Sequence, residues 1–337
     1  MTGWPRTRAA ALLAPFLTVL ATGAGAAYAA PDDPVPSRTL FTIDDDEVFE
    51  SSGLVDTGRV VYTINDSGDD AVVYGLDPGT GRPVSRTTYA GSVEDVEAIA
   101  PGRDGRVWVG DIGDNRRRRD DVTVYRVDPR DGEHPATPHR LTYPDGAHDA
   151  ETLLVHPRTG RVFVVSKSPF GGTVYAAPRT LSGAATDRLT SFARVSGLVT
   201  DGTFFAGGRR VLLRTYGTAS VYTFPGFALV GTVRLPAQRQ GEGISVSPQG
   251  RVLVSSEGPR SDVLEVTLPA ALTDPSATPA AAPLGPGPTR DPQRPGDRPP
   301  RDRTAEEWGW VALASVGVLS LGYLTLRAVR PRGPRRR

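Results

Sequence analysis

An internal repeat within residues 45–268 constrains the fold of this chain more than any other feature. In each copy an acidic residue is followed nine or ten positions later by an arginine that lies one or two positions after a glycine, and then by an apolar segment. The five pairs are Glu50 and Arg59, Glu97 and Arg106, Glu151 and Arg161, Asp201 and Arg210, and Glu242 and Arg251. Glycine at such a place is typical of a hairpin turn between two strands.

A third apolar segment follows each of these hairpins, and four of the five carry a Val-Tyr pair. The segments read AVVYGLD, VTVYRVD, GTVYAAP, ASVYTF and DVLEVTL. Successive repeat acids are 47, 54, 50 and 41 positions apart. Repeats of about 40–50 residues with three or four short strands are the signature of a β-propeller, in which small sheets called blades surround a central channel. We therefore predict an all-β propeller fold.

The number of blades follows from how the ring closes. The fifth repeat ends near Leu268 without an outer strand, and the unassigned segment Arg38–Ile43 can supply one. This pairing would join the two ends of the domain and leave no open sheet edge. We expect five blades. Six is the alternative if residues 128–148 or 179–200 contain a further repeat.

The segments outside the propeller, which we place at 31–272, predict an exported and membrane-anchored protein. Residues 1–30 resemble a secretory signal peptide, with a retained anchor as the alternative. Residues 273–307 are proline-rich and predict a disordered stalk. Residues 308–326 contain no charge over 19 positions and are long enough to be a transmembrane helix. The six arginines of the basic tail, 327–337, predict a cytoplasmic C-terminus, so the propeller would lie outside the cell membrane as in a single-pass type I protein.

Composition excludes several functional classes. The chain of 337 residues contains no cysteine, which excludes disulfide frameworks, thiol catalysis and cysteine-ligated metal sites. The stretch 31–272 carries a net charge of about −6. A domain of this charge is not expected to bind nucleic acid.

Propeller geometry predicts a functional face. The first strand of each blade lines the channel, so the five repeat acids should form a ring at one mouth: Glu50, Glu97, Glu151, Asp201 and Glu242. The ends of the second strands bring Asp66, Asp114, Lys167, Arg214 and Glu257 to the same face, with Asp95 nearby. Converging carboxylates need cations, and oxygen ligands suit Ca²⁺. The alternative for any single acid is a structural role, in which it accepts backbone N–H groups of the neighbouring blade.

Lys167 is the only lysine in the chain, against 38 arginines. A compact, rotatable ammonium at the channel face predicts either an anion-binding group or a partner for a ring carboxylate. A chance position on a surface turn is the alternative.

The strand openings EAIA, ETLL and EGIS and the turn Gly110–Asn115 (GDIGDN) resemble the phytase-like, "esterase-like activity of phytase" propellers of exported bacterial proteins. The resemblance covers about residues 45–268. It implies calcium ligands at Glu50, Asp66, Glu97, Asp114, Glu151 and Glu242, and an anion held by Lys167 and Arg214. The phytases themselves have six blades, so this chain departs from them in its expected blade number and in its single lysine.

Two functions follow from these observations. The first is a membrane-tethered, calcium-binding surface module whose partner is a cell-wall polymer, a surface protein or an anionic small molecule. The alternative is a metal-dependent hydrolase of phosphate or carboxylic esters. In the hydrolase, Glu151 would be the general base, and Lys167 and Arg214 would stabilise developing negative charge. We favour the first function, because the catalytic groups are inferred from position alone.

Overall fold

The computed structural model describes residues 33–66 and 71–274, which form a five-bladed β-propeller. The chain enters through β1 (Ser37–Thr42). The first blade contains β2 (Ser51–Asp56), β3 (Val61–Asn65), β4 (Val72–Leu76) and β5 (Pro83–Tyr89). The second contains β6 (Val96–Pro101), β7 (Val107–Asp111), β8 (Val122–Val127) and, after the short β9 (Gly132–His134), β10 (Thr137–Thr142).

The remaining blades follow the same order from the channel outward. The third contains β11 (Ala150–Val155), β12 (Val162–Ser166), β13 (Gly172–Ala176) and, after β14 (Asp187–Arg188), β15 (Thr190–Val195). The fourth contains β16 (Asp201–Phe204), β17 (Arg210–Arg214), β18 (Thr218–Thr223) and β19 (Leu229–Arg234). The fifth contains β20 (Gly241–Val246), β21 (Val252–Ser256) and β22 (Asp262–Val266), and helix α1 (Ala270–Thr273) follows it.

The ring closes through the N-terminal strand, as the sequence predicted. Strand β1 pairs antiparallel with β22, with Ser37 opposite Val266 and Thr42 opposite Asp262, and so becomes the outer strand of the fifth blade. Because strands from both ends of the domain share one sheet, opening the ring requires breaking a strand pairing as well as a blade interface.

The alternative of six blades is wrong. The segments 128–148 and 179–200 contain extra strands that extend existing sheets. Strand β9 pairs parallel with β5 and becomes a fifth strand of the first blade, while β14 pairs parallel with β10 and does the same for the second blade. In both cases the long connection reaches back to the preceding blade.

The five repeated Gly-Arg turns join the first and second strands of each blade. A glycine with positive φ lies in every one of them, with values between 69° and 88°: Gly58, Gly105, Gly160, Gly208 and Gly250. This left-handed conformation carries no steric cost for glycine. The turn residue Arg251 links two blades. It belongs to the fifth blade and forms a bidentate ion pair with Asp56 of the first blade, at 2.8 and 2.9 Å.

The hydrophobic core consists of five clusters, one between each pair of neighbouring blades. The second strands β7, β12 and β21 are buried on both sides, which explains their continuous Val-rich runs. The inner strands instead carry small residues, because they crowd around the axis. At Gly243, for example, a Cβ atom would lie 2.4 Å from the Ser255 hydroxyl oxygen.

The predicted signal peptide (1–30), transmembrane helix (308–326) and basic tail (327–337) lie outside the described residues, as does the predicted stalk apart from residues 273–274. Within residues 33–66 and 71–274, α1 has four residues and no helix has the length and apolar character needed to cross a bilayer.

Candidate cation site at the mouth of the channel

The inner strands β2, β6, β11, β16 and β20 are neighbours around a closed ring. All five begin at the same end of the channel, which we call the mouth. The second strands of the blades end there, so the turns between second and third strands also surround the mouth. This arrangement brings acidic side chains from blades that are far apart in sequence onto one face, as the repeat predicted.

Three carboxyl groups at the mouth are placed to share a cation. One oxygen atom of each of Asp66, Asp95 and Glu97 lies within 4.8 Å of the others. We call these three residues the carboxylate cluster. Asp66 follows β3 of the first blade, whereas Asp95 precedes β6 and Glu97 lies within it, so the cluster bridges two blades.

Glu97 has the most unusual environment in this cluster. The residue is only 4% exposed, and within the described part of the chain no group donates a hydrogen bond to its carboxyl. Burial raises the pKa of Glu97 to about 11, and repulsion from Asp66, Glu151 and Asp95 adds to the rise. A buried carboxyl without a donor is costly to ionise unless a cation accompanies it.

Asp95 shows a similar but smaller effect. It is half-buried, and burial raises its pKa to about 6, with further contributions from Asp66 and Asp149. Its backbone N–H donates to Asp111 at 2.8 Å, which fixes the start of the inner strand. The sequence placed Asp95 near the mouth but did not identify it as a ligand. The sequence feature that could have identified Asp95 as a ligand is its position two residues before Glu97. This spacing places both acids at the start of the same inner strand.

Glu151 lies at the mouth but pairs with the only lysine of the chain. One of its carboxylate oxygens accepts a hydrogen bond from Lys167 Nζ, while the other, Oε2, is buried without a hydrogen-bond partner. Burial raises the pKa of Glu151 to about 8, and Lys167 limits the rise. Burial alone would lower the pKa of Lys167, but Glu151 and Tyr216 raise it above its usual value. The ammonium also lies 5.6 Å from the centre of the Tyr216 ring. The structure therefore supports the pairing alternative for Lys167.

The other expected ring acids lie on the same face outside the cluster. Glu242 is buried, and burial raises its pKa while Lys167 opposes the rise. Burial raises the pKa of Glu257 to about 7, and repulsion from Glu242, Asp66 and Glu50 contributes to the shift. These couplings show that the repeat acids of the first, second, third and fifth blades share one electrostatic environment.

Asp201 occupies a structural position. It is fully buried, and its Oδ1 accepts the backbone N–H of Gly202 while its Oδ2 accepts that of Ile244, both at 2.7 Å. Ile244 belongs to the inner strand of the next blade, so the carboxyl links the fourth and fifth blades. Because both oxygens are engaged by the backbone, we leave Asp201 out of the candidate cation site.

Arg214 also has a structural role. It is fully buried, and its guanidinium donates to the carbonyl oxygens of Gly243 at 2.7 Å and Ser255 at 3.0 Å, and to Gln238 Oε1 at 3.2 Å. Burial lowers its pKa to about 10, against the opposing effect of Asp201 and Glu242. A guanidinium surrounded by these acceptors has no exposed edge for a ligand, so Arg214 is left out of the anion site that the resemblance implied.

Asp114 organises a loop beside the cluster. Its Oδ1 accepts the backbone N–H of Arg118 at 2.9 Å, and its Oδ2 accepts that of Arg119 at 2.8 Å. Its own N–H donates to Asp149. Asp114 therefore shapes the turn between β7 and β8, and the two N–H groups occupy its carboxylate. Of the seven expected metal ligands, Asp66 and Glu97 come together, and Asp95 completes the group.

The donor set of the cluster fits a hard divalent cation. Three carboxylates from two blades offer up to six oxygen atoms, and Ca²⁺ takes about six to eight oxygen ligands in flexible geometry. The cluster has no nitrogen or sulfur ligand, which disfavours Zn²⁺ and Cu²⁺. A bound cation would also remove the mutual repulsion that raises the pKa of Glu97 and Asp95.

No protein-family model matches the chain, and no curated protein matches it. Among solved structures it is similar to a luciferin-regenerating enzyme, with 11% identity over 69% of this chain and 95% of that one and a TM-score of 0.40. It is also similar to a glucose dehydrogenase, with 11% identity over 69% of this chain and 100% of that one and a TM-score of 0.42. Similarity at this level concerns the fold alone, so no activity is carried over from these proteins to this chain.

Proposed function

We propose that this protein is a calcium-binding β-propeller that serves as a binding module on the outside of the cell membrane. The cation is held at the mouth by Asp66, Asp95 and Glu97. The signal peptide, stalk and transmembrane helix expected from the sequence export the propeller and tether it. This proposal combines the geometry of the mouth with the predicted organisation of the chain ends.

The observation that carries the proposal is the position of Glu97. Its carboxyl is buried beside two other carboxyls, without a hydrogen-bond donor among the described residues. Other buried carboxylates of the fold have donors: Asp56 pairs with Arg251, Asp201 accepts two backbone N–H groups, and one oxygen of Glu151 accepts from Lys167. An unsatisfied buried carboxyl that is shared with two others is the arrangement that a divalent cation stabilises.

A binding role is favoured over hydrolysis because the cationic groups needed for catalysis are engaged. Lys167 pairs with Glu151 and Tyr216, and Arg214 is surrounded by backbone carbonyls. Neither residue is therefore free to stabilise the developing negative charge, which is the role that the hydrolase alternative assigns to them. We therefore expect the purified chain not to hydrolyse p-nitrophenyl phosphate or p-nitrophenyl acetate, with or without calcium.

Isothermal titration calorimetry of the purified full chain tests the cation site. We expect one Ca²⁺ per chain in the wild type. Glu97→Gln and Asp95→Asn each remove a charged ligand and should weaken binding by tenfold or more, since an ionic ligand contributes about 1.4 kcal/mol or more. Glu133→Gln is the matched control, because Glu133 is exposed on the outer strand β9 and should leave the affinity unchanged.

Two results would overturn the assignment. One is the absence of calcium binding in a folded wild-type sample. The other is wild-type affinity in both Glu97→Gln and Asp95→Asn, which would place the cation elsewhere. Ester turnover that requires calcium would instead support the alternative hydrolase function.

A further inference from the structure

A loop of exposed arginines borders the carboxylate cluster. Arg116, Arg117 and Arg118 lie between β7 and β8, and all three are exposed. None of them forms an ion pair with an acidic side chain in the described part of the chain, whereas Arg119 is bound to Asp111 at 2.8 Å. We call residues 114–119 the arginine loop. Asp114 holds its backbone in place, so the loop presents cationic side chains from a fixed turn.

The arginine loop and the cluster share one cavity. The residues that line a cavity of about 420 Å³ include the acidic Glu94, Asp95 and Asp114 and the basic Arg116, Arg118 and Arg119. Asp95 belongs both to this cavity and to the carboxylate cluster. A ligand in the cavity would therefore contact free guanidinium groups and approach the proposed cation at the same time.

Exposed aromatic side chains lie on the same face. Within the described residues, the exposed large hydrophobic side chains are Phe49, Val84, Phe170 and Tyr216. Only Val84 lies away from the mouth, on the outer strand β5. Phe49 precedes β2, Phe170 lies in the turn after β12, and Tyr216 lies in the turn after β17. Phe170 is 95% exposed, so both faces of its ring are accessible to a ligand.

These features together define a class of ligand. Free guanidiniums beside a divalent cation select an anion, because each offers charge-assisted hydrogen bonds or direct coordination. Exposed aromatic faces pack against the C–H face of a sugar ring, as aromatic side chains do at other partly polar surfaces. The arginine loop belongs to the second blade, Phe170 to the third and Tyr216 to the fourth, so a ligand that reaches all of them extends over more than one sugar unit.

We propose that the mouth binds an acidic polysaccharide. A sugar carboxylate coordinates the cation at Asp66, Asp95 and Glu97 and pairs with Arg116 and Arg118, while further sugar rings stack on Phe170 and Tyr216. This inference rests on the proposed calcium site. Without the cation, the carboxylates of the mouth repel an anionic ligand, so binding requires calcium.

The test uses the full chain and an oligogalacturonate of about eight residues as the probe. Calcium alone is titrated first, and the oligogalacturonate is then titrated into the calcium-loaded protein and into protein with EGTA. We expect binding with calcium and a loss of at least tenfold in affinity with EGTA. Maltoheptaose, polyphosphate and polyglutamate serve as comparison ligands that lack the carboxylate, the sugar carboxylate or the sugar ring, respectively.

Paired variants locate the contacts. Arg116→Ala with Arg118→Ala should weaken oligogalacturonate binding by about tenfold or more while leaving calcium binding intact. The control is Arg59→Ala with Arg103→Ala, two exposed arginines in turns at the opposite end of the channel. Phe170→Ala with Tyr216→Ala should also weaken binding, and Val84→Ala should not.

The outcomes separate the two proposals. Calcium binding without oligogalacturonate binding overturns the polysaccharide inference and leaves the cation site standing. Polyglutamate or polyphosphate binding as tight as oligogalacturonate binding also overturns it, because the sugar carboxylate would then not be recognised. Absence of calcium binding in the first titration overturns both proposals.

Discussion

Glu97 and Asp201 occupy the same place in the repeat, yet the two sides of the mouth that contain them differ in chemistry. Glu97 lies between the first and second blades, buried and without a hydrogen-bond donor among the described residues. Asp201 lies between the fourth and fifth blades, with both oxygens bound to backbone N–H groups. One repeated acid is therefore available to a cation, and the other holds two blades together.

Strand register and side-chain length both differ between the two residues. Glu97 lies at a β-bulge between Val96 and Ala98, whereas Asp201 is paired with Arg214. The aspartate carboxyl stays close to its own backbone and reaches the N–H groups of Gly202 and Ile244. The glutamate carboxyl extends one methylene further and meets Asp66 and Asp95. A repeated pattern of acids thus does not by itself identify metal ligands, because the hydrogen-bond donors near each carboxyl determine its role.

The largest predicted effect contrasts these two residues in stability. Asp201→Ala leaves two buried N–H groups without an acceptor and removes a buried carboxyl that interacts with buried Arg214. We expect it to lower the free energy of unfolding by about 3 kcal/mol or more. Glu97→Gln keeps the shape of a side chain that already favours its neutral form, and should change stability by less than about 0.5 kcal/mol without calcium. Urea unfolding of both variants in EGTA measures the difference, and equal losses would contradict the contrast.

A smaller effect is expected for the ion pair on the third blade. Lys167 and Glu151 are both largely buried and directly bonded. A double-mutant cycle of Lys167→Met, Glu151→Gln and their combination should give a coupling energy of about 1–2 kcal/mol. Coupling close to zero would mean that the pair is only a surface contact and that Lys167 is free to serve a ligand.

The smallest predicted effect is a dependence of stability on pH without calcium. Burial raises the pKa of Glu151 from 4.5 to about 8 and that of Glu257 to about 7, so the folded state holds protons that the unfolded state releases. Stability should therefore fall as pH rises from about 5 to 8, and Glu97, whose pKa is raised to about 11, should extend the fall above that range. We expect the thermal midpoint to drop by about 2–4 °C between pH 6 and pH 8.

Glu257→Gln provides the control for this pH dependence. It removes one of the carboxyls that titrate in this range and should make the decrease in thermal midpoint less steep. A midpoint that rises over the same pH range would contradict this prediction. It would show that these carboxyls are ionised in the folded state and are stabilised by positive charge beyond the described contacts.

The repeat made most of the fold predictable. The spacing of the acids and the Gly-Arg turns indicated the blades, and the missing strand after the fifth repeat indicated that Arg38–Ile43 would close the ring. Strands β9 and β14 were not predicted, because two or three residues that pair with a preceding sheet leave no periodic pattern in the sequence.

The site was less predictable than the fold. Strand order places an acid at the mouth, but the sequence does not show which backbone N–H groups or guanidiniums reach it. Arg214 and Asp114 illustrate the point, because each is at the expected face and each is occupied by contacts that depend on tertiary packing. Asp95 was placed near the mouth from its position before Glu97, but its closeness to Asp66 depends on how two blades meet.

A crystal structure of the full chain grown with Ca²⁺ tests the cation site most directly. The proposal predicts one anomalous difference peak at the mouth, about 2.3–2.6 Å from carboxylate oxygens of Asp66, Asp95 and Glu97. A mouth without such a peak at saturating calcium, or a peak coordinated by other residues while Glu97 stays unliganded, would contradict it.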